Sequence, residues 1–333
     1  MPDNTPTVHL RTSNQELHRH LDRMCALAGW RLETYPPGGE VPGRGVVLDD
    51  ADAPANQERP IARAVAVATQ PRAGVLAIPG EAATVLESIN DSHAPAAGRV
   101  IAVAGVRGGL GTTALAAALA QAIHRAGHRT ALVDLDPVGG GVELLLGLAH
   151  DPGPRWADLA DDHGAFIPQR LRLALPTWQG VAVLSADARG GVDCDEPITE
   201  LVITALARAC DVVVLDLPRH GLAPLVLTKL GVRPEDLVLL VGSDLRSAVA
   251  AEAVTVALRA QHRVPHLVGR VTRTPALAVG DVAAALGLPL LATLRNERGF
   301  DTALAHGVCP VGVGRGSLTT TARRIAAALH LAQ

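Results

Sequence analysis

Aromatic side chains make up only 2% of the 333 residues: two Phe, three Trp and the single Tyr35. This scarcity argues against a stacking platform for single-stranded nucleic acid. With 48% hydrophobic residues, a substantial core is still available, built from Ala, Val, Leu and Ile. The four cysteines, Cys25, Cys194, Cys210 and Cys309, are scattered with no C-x-x-C pair, so their spacing suggests neither a zinc motif nor a disulfide framework. A charged-then-apolar leader is missing, and no apolar run is long enough to span a bilayer. The net charge of -3 gives no wholesale attraction to DNA or anionic membrane. These absences lead us to expect a cytoplasmic chain. Its length suits two domains.

What the chain does have is concentrated between Val100 and Asp136. Val100–Ala104 is a short apolar run rich in β-branched residues, a buried-strand pattern. A glycine-rich turn follows: Arg107, Gly108, Gly109, Leu110, Gly111, Thr112, Thr113. A helical stretch then ends near Gly127, and a second apolar strand, Thr130–Val133, runs into Asp134 and Asp136. Strand, glycine loop, helix and strand form the frame of a P-loop, in which main-chain N–H groups and a helix N-terminus cradle phosphates.

Before this unit, strand patterns fall at Val8–Leu10, Arg31–Tyr35, Val46–Leu48, Val65–Ala68 and Val75–Ile78. Ser13 or Asn14 can cap a helix carrying Leu17, Leu21, Met24 and Ala28, with Gly29 as its stop. Glu81–Ile89 reads as a closing helix. Asp49 and Asp50, at a strand end, read as solvated carboxylates. Asp91–Gly98 is a small-residue linker, so we expect domains at 1–93 and 99–333 joined by 94–98. After the P-loop, strands are expected at Val181–Leu184, Val212–Asp216, Leu237–Val241, Leu267–Val271 and Leu290–Leu294. Helices are expected at Val142–Leu148, Ile198–Ala209, Leu245–Gln261 and Val279–Leu286. Such continuous apolar strands suit a mostly parallel, doubly wound α/β sheet covered on both faces. His18 and His20 do not share a helix face, and Gly127 separates His124 from His128, so neither pair reads as metal ligands.

The glycine loop resembles the deviant Walker A motif, KGGxGK[ST], of the MinD/ParA class of P-loop ATPases, over about Arg99 to the C-terminus. The amino-terminal unit resembles a receiver domain, although its first strand ends in Arg11, Thr12 and Ser13 rather than acids and no lysine follows Ile78. A degenerate receiver fused to such an ATPase fold resembles the CpaE/TadZ proteins and the septum-site-determining group. This resemblance implies ATP and Mg²⁺ as cofactors. It assigns phosphate contacts to Arg107 through Thr113, Mg²⁺ contacts to Thr113, Asp134 and Asp216, and catalytic roles to Asp134, Asp136 and Asp216. It also implies a homodimer and protein partners in the division or pilus/secretion apparatus, with recruitment to septum or pole.

Several departures from that pattern bear on function. Arg107 stands where the family has a lysine that reaches across the dimer, and a planar guanidinium is not a compact ammonium. Thr112 stands where the family has the lysine that holds the β/γ-phosphates. Losing a charge-assisted contact costs about 1.5–3 kcal/mol, or roughly 10- to 100-fold in affinity, and can slow chemistry by about 10²–10³. Gly269 lies near the family's adenine-recognising asparagine. Three readings stay open: a fold kept without nucleotide, weak ATP binding with little hydrolysis, and an active ATPase in which Arg107 replaces the missing charge. Kinase chemistry lacks a tyrosine-rich tail, and an iron-protein role lacks cluster cysteines. The C-terminal stretch Arg323–Leu331 reads as a helix packed on its own domain, with peripheral membrane contact as the rival. The arginines from Arg259 to Arg298 read as a solvated surface, with a DNA-facing patch as the rival.

Overall fold

The computed structural model describes residues 7–42, 46–59, 61, 64–70, 75–82, 84–86, 98–138, 140–160, 166–306, 308–312 and 316–332. The chain divides into two compact units, Met1–Pro95 and Ala96–Gln333. Most of the expected linker, and residues 83 and 87–89 of the expected closing helix, fall outside the described residues.

The first unit carries five parallel strands, β1 (Thr7–Arg11), β2 (Arg31–Tyr35), β3 (Val46–Asp50), β4 (Val65–Ala68) and β5 (Leu76–Ala77). Their order is β2-β1-β3-β4-β5, the flavodoxin-like doubly wound order. The helix Gln15–Ala28 starts on Asn14, whose side chain accepts from the N–H groups of Glu16 and Leu17. It stops at Gly29, whose φ of 73° suits a residue without a Cβ. Leu17, Leu21 and Cys25 face inward and pack with Val8, Leu10 and Leu48.

The carboxylates at the end of β3 correct the expectation drawn from their position. Asp49 and Asp50 are buried rather than solvated. Arg11, 1% exposed, grips Asp49 with both nitrogens of one edge, Nε to Oδ1 at 2.6 Å and Nη2 to Oδ2 at 2.5 Å. Thr12 donates to Asp50 at 2.5 Å, and Arg11 also donates to the Arg59 carbonyl at 3.0 Å. An unpaired buried charge is expensive, so the pair is far costlier to break than to keep.

The second unit carries an eight-stranded sheet: β6 (Arg99–Gly105), β7 (Thr130–Asp134), β8 (Thr177–Trp178), β9 (Val181–Leu184), β10 (Val212–Leu217), β11 (Leu237–Gly242), β12 (His266–Arg270) and β13 (Leu290–Leu294). The order is β13-β12-β11-β6-β10-β7-β9-β8, and only the β8–β9 pair is antiparallel. β10 and β11 are buried along their whole length, as their unbroken apolar runs require of a sheet covered on both faces. Sheet order matters for function because β6 and β7 flank β10. In the β10–β7 ladder, Asp216 sits directly opposite Asp134.

The helix Thr112–Arg125 follows β6 and buries Leu115, Leu119, Ile123 and a run of alanines. The C-terminal helix, Ser317–Ala328, packs on it and on β13, burying Leu318, Ala322, Ile325 and Ala326. Among the described residues, no helix is long and apolar enough to cross a membrane.

Replacing Arg11 with Ala should destabilise the first unit by about 3–5 kcal/mol, because Asp49 is left buried and unpaired. Hydrogen exchange resolved by peptide reads this directly: protection falls in residues 7–50 and holds in β6, β10 and β11. Unchanged protection at β1 and β3 would contradict the assignment.

Candidate functional site

β6 ends at Gly105, and the chain turns through Arg107–Gly111 into the helix that starts at Thr112. Gly109 and Gly111 have φ of 75° and 87°, the left-handed region where a side chain is strained. Gly111 occupies the N-cap position without any side-chain cap bond. The helix therefore begins with its N–H groups uncapped and its positive dipole end at the loop, an anion-binding arrangement. Leu110 is 1% exposed, so its side chain anchors the loop in the core and only its main chain is available to a ligand.

The carboxylates expected from the sequence gather beside this loop. Asp216, at the tip of β10, is buried beside the Thr113 hydroxyl, which favours its charged form. Burial, and then the neighbouring Asp134 charge, push its pKa up to about 7. Asp134 is also buried, and burial raises its pKa. Its oxygens accept from the N–H groups of Asp136 at 3.1 Å and Val142 at 2.9 Å, with Ser185 Oγ at 3.5 Å. Behind it, Trp156 Nε1 donates to the Asp134 carbonyl at 2.6 Å. Asp136 lies past the strand end, half-buried, and accepts from Val138 N–H at 3.2 Å. Two buried like charges beside a hydroxyl make a hard-oxygen donor set that a divalent cation would relieve. Thr113, Asp134 and Asp216 thus fit Mg²⁺.

The positive side of the site fits less well. Thr112 opens the helix with no cationic group, and Lys229 is the only lysine in the chain. Arg107 is held elsewhere: Nε donates to Ser247 Oγ at 2.8 Å, Nη2 to Asp244 Oδ2 at 2.8 Å and Nη1 to the Gly108 carbonyl at 3.1 Å. Asp244 and Ser247 carried no signal in the sequence, because their partner is 137 or more positions away. Gly269 cannot be exchanged for a recognising asparagine without rearrangement, since a Cβ there would lie 2.6 Å from Val279 Cβ.

The arginines beyond Arg259 are not simply a solvated surface. Arg263 is buried and donates to the Val232 carbonyl at 2.9 Å. Arg270, Arg273 and Arg295 line one cavity of about 320 Å³ together with Arg107, Gly109 and Gly111. This pocket opens beside the glycine loop and gives a phosphorylated ligand room to extend.

Comparison with known proteins bears on this frame. The family model of the cellulose biosynthesis protein BcsQ matches residues 99–249. Two proteins of Mycobacterium tuberculosis, "Uncharacterized protein Rv3660c" of strain H37Rv and "Uncharacterized protein MT3760" of strain CDC 1551, are each 39% identical over 249 residues. The match covers 74% of this chain and 67% of each relative. Among solved structures, a ParA family ATPase from Chlorobium tepidum aligns with a TM-score of 0.57 at 16% identity, covering 70% of this chain and 99% of that one. MinD from Pyrococcus horikoshii, complexed with Mg-ADP, aligns with a TM-score of 0.54 at 19% identity, covering 69% and 95%. The MinC:MinD complex of Aquifex aeolicus aligns with a TM-score of 0.54 at 18% identity, covering 69% and 96%. These structures share the fold.

The Asp216 environment predicts a pH dependence. The folded chain keeps this proton up to about pH 7, the unfolded chain only to about 3.8, so stability without ligand falls as pH rises through that window. Asp216→Asn should remove most of that fall, leaving melting temperatures close to wild type near pH 4 and higher at pH 8. Melting curves of the two proteins that stay parallel from pH 4 to 8 would contradict it.

Proposed function

We propose that this chain, which belongs to one family with its two mycobacterial relatives and matches the BcsQ model over residues 99–249, is a spatial regulator of the CpaE/TadZ and septum-site-determining type within the ParA–MinD class. In this reading its P-loop binds Mg-ATP weakly and hydrolyses little. One observation carries it: the loop keeps its main-chain shape, the Thr113–Asp216 contact and the Asp134 carboxylate, while position 112 has no cation and Arg107 is tied to Asp244. Main-chain N–H groups and a helix dipole can hold phosphate. Without a positioned cation the charge that develops on phosphoryl transfer goes unstabilised. When bound, Mg²⁺ would supply charge neutralisation, with Thr113, Asp134 and Asp216 holding it. Asp136 would help orient water near the same edge.

Nucleotide then sets association rather than turnover, and a homodimer is the form we expect. The partners we propose are proteins of the division septum or of pilus and secretion machinery. That the Aquifex MinD is found in complex with MinC supports protein partners in general. The first unit supports the CpaE-like layout through its strand order. We read 1–93 as a degenerate receiver, in which Arg11 occupies Asp49 and leaves no acidic pocket for phosphotransfer. Membrane contact is at most peripheral, since the apolar face of Ser317–Ala328 is spent on its own domain. No sequence-specific nucleic-acid role is expected. A cytoplasmic protein recruited to septum or pole fits this reading.

Calorimetric titration with Mg-ATP, paired with phosphate release, tests the proposal. Thr112→Lys should tighten binding roughly 10- to 100-fold and raise hydrolysis. Wild-type turnover at the level of intact MinD/ParA ATPases would refute it. The alternative, an active enzyme using Arg107, requires that guanidinium to leave Asp244. It predicts that Arg107→Ala abolishes hydrolysis while Asp244→Ala preserves or increases it. Equal turnover in wild type and Arg107→Ala would remove that alternative.

A further inference from the structure

Past Asp216, β10 runs through Leu217 and Pro218 into a tight turn, Arg219–Leu222. His220 in this turn meets the segment that follows β9. Its Nε2 lies 3.0 Å from Asp193 Oδ1, and Cys194 Sγ lies 3.4 Å from the same oxygen. One ligand atom from each of the three residues falls within 4.8 Å of the others. In a tetrahedral zinc site, with bonds of about 2.0–2.3 Å, ligand atoms sit about 3.3–3.8 Å apart. Shifts of about an ångström would bring the three atoms to those separations.

The surroundings hold these groups in place. Thr199 Oγ1 donates to the Asp193 carbonyl at 2.8 Å, and Asp193 N–H donates to Glu196 Oε1 at 3.1 Å. A Cβ at Gly221 would lie 2.6 Å from Leu217 Cδ1 and 3.2 Å from Cys194 Sγ, so glycine lets the turn close over the thiol. Cys194 is 2% exposed, whereas the Asp193 and His220 side chains are 44% and 54% exposed. The cluster is anchored on its sulfur side and open to solvent on the other.

We propose that Asp193, Cys194 and His220 form a divalent-metal site of the zinc class, with water as fourth ligand, that clamps the turn after Asp216 to the segment after β9. Mixed sulfur, nitrogen and oxygen donors select Zn²⁺ over Mg²⁺. The free thiol holds its proton, pushed up to about 12 by burial and then by the Asp193 carboxylate. Binding replaces the S–H bond with a sulfur–metal bond and releases that proton to solvent. Because the turn follows directly on Asp216, the ion would stiffen the exit of the strand that carries the Mg²⁺ carboxylate. The site does not depend on nucleotide binding, so it survives if the ATP reading fails.

The test uses the full chain, stripped with chelator and titrated with Co²⁺ and then Zn²⁺. One equivalent of Co²⁺ should give a near-ultraviolet thiolate charge-transfer band and the strong visible bands of a tetrahedral ion. Cys194→Ser should abolish the charge-transfer band, and both Cys194→Ser and His220→Ala should weaken Zn²⁺ binding at least tenfold. Cys309→Ser should change neither. Hydrogen exchange at 218–222 should slow on adding Zn²⁺ to wild type and not to His220→Ala. Circular dichroism identifies any variant that fails to fold, and the slowing in wild type remains a test without variants. A cobalt spectrum without the thiolate band, or Zn²⁺ affinity unchanged in folded Cys194→Ser, would overturn the proposal.

Discussion

Two carboxylates held side by side in a dry sheet edge govern the larger unit. Asp134 and Asp216 are register partners at the tips of neighbouring parallel strands, both buried. A parallel ladder leaves their Cα atoms no freedom to separate, and burial deprives them of water. The fold answers with donors: two N–H groups on Asp134, and the Thr113 hydroxyl on Asp216. These do not cancel the charge, and Asp216 retains a proton to about pH 7. An incoming cation is the group that would complete the arrangement. The glycine loop and its uncapped helix N-terminus lie next to it, so groups suited to a cation and groups suited to an anion share one end of the sheet.

The two units place their cations differently. In the first, Arg11 at the end of one strand neutralises Asp49 at the end of its neighbour. In the second, Thr112 opens the helix after the glycine loop without a cationic group. The chain has one lysine, Lys229, far along the sequence from Thr112. The glycine loop's own guanidinium, Arg107, is committed to Asp244 and Ser247 within the same unit. Its pair is half-exposed and so worth little in stability. It nevertheless fixes where the charge rests when no ligand competes.

Much of the frame was legible because it is local. The Asn14 cap, the Gly29 stop, the β6–loop–helix unit and the strand tips at Asp134 and Asp216 follow from period, capping and turn chemistry. Asp49 and Asp50 were misread because burial at a strand end depends on which side chain stands opposite, and Arg11 is 38 positions away. Short helices such as Pro168–Ala174 and Pro224–Lys229 span too few turns to show a period. The grouping of Arg270, Arg273 and Arg295 around one cavity depends on the β12–β13 pairing, which no run of residues announces. The same holds for Cys194 and His220, brought together from two separate strand exits.

Amide chemical shifts of Gly108–Thr113, followed through a titration with Mg-ATP, report on the main-chain cradle itself. If a main-chain cradle persists without its cation, these amides move together and saturably, with weak affinity, and the γ-phosphate stays intact over the same hours. Amides that stay still at millimolar Mg-ATP would contradict the account, as would tight binding with rapid loss of the γ-phosphate.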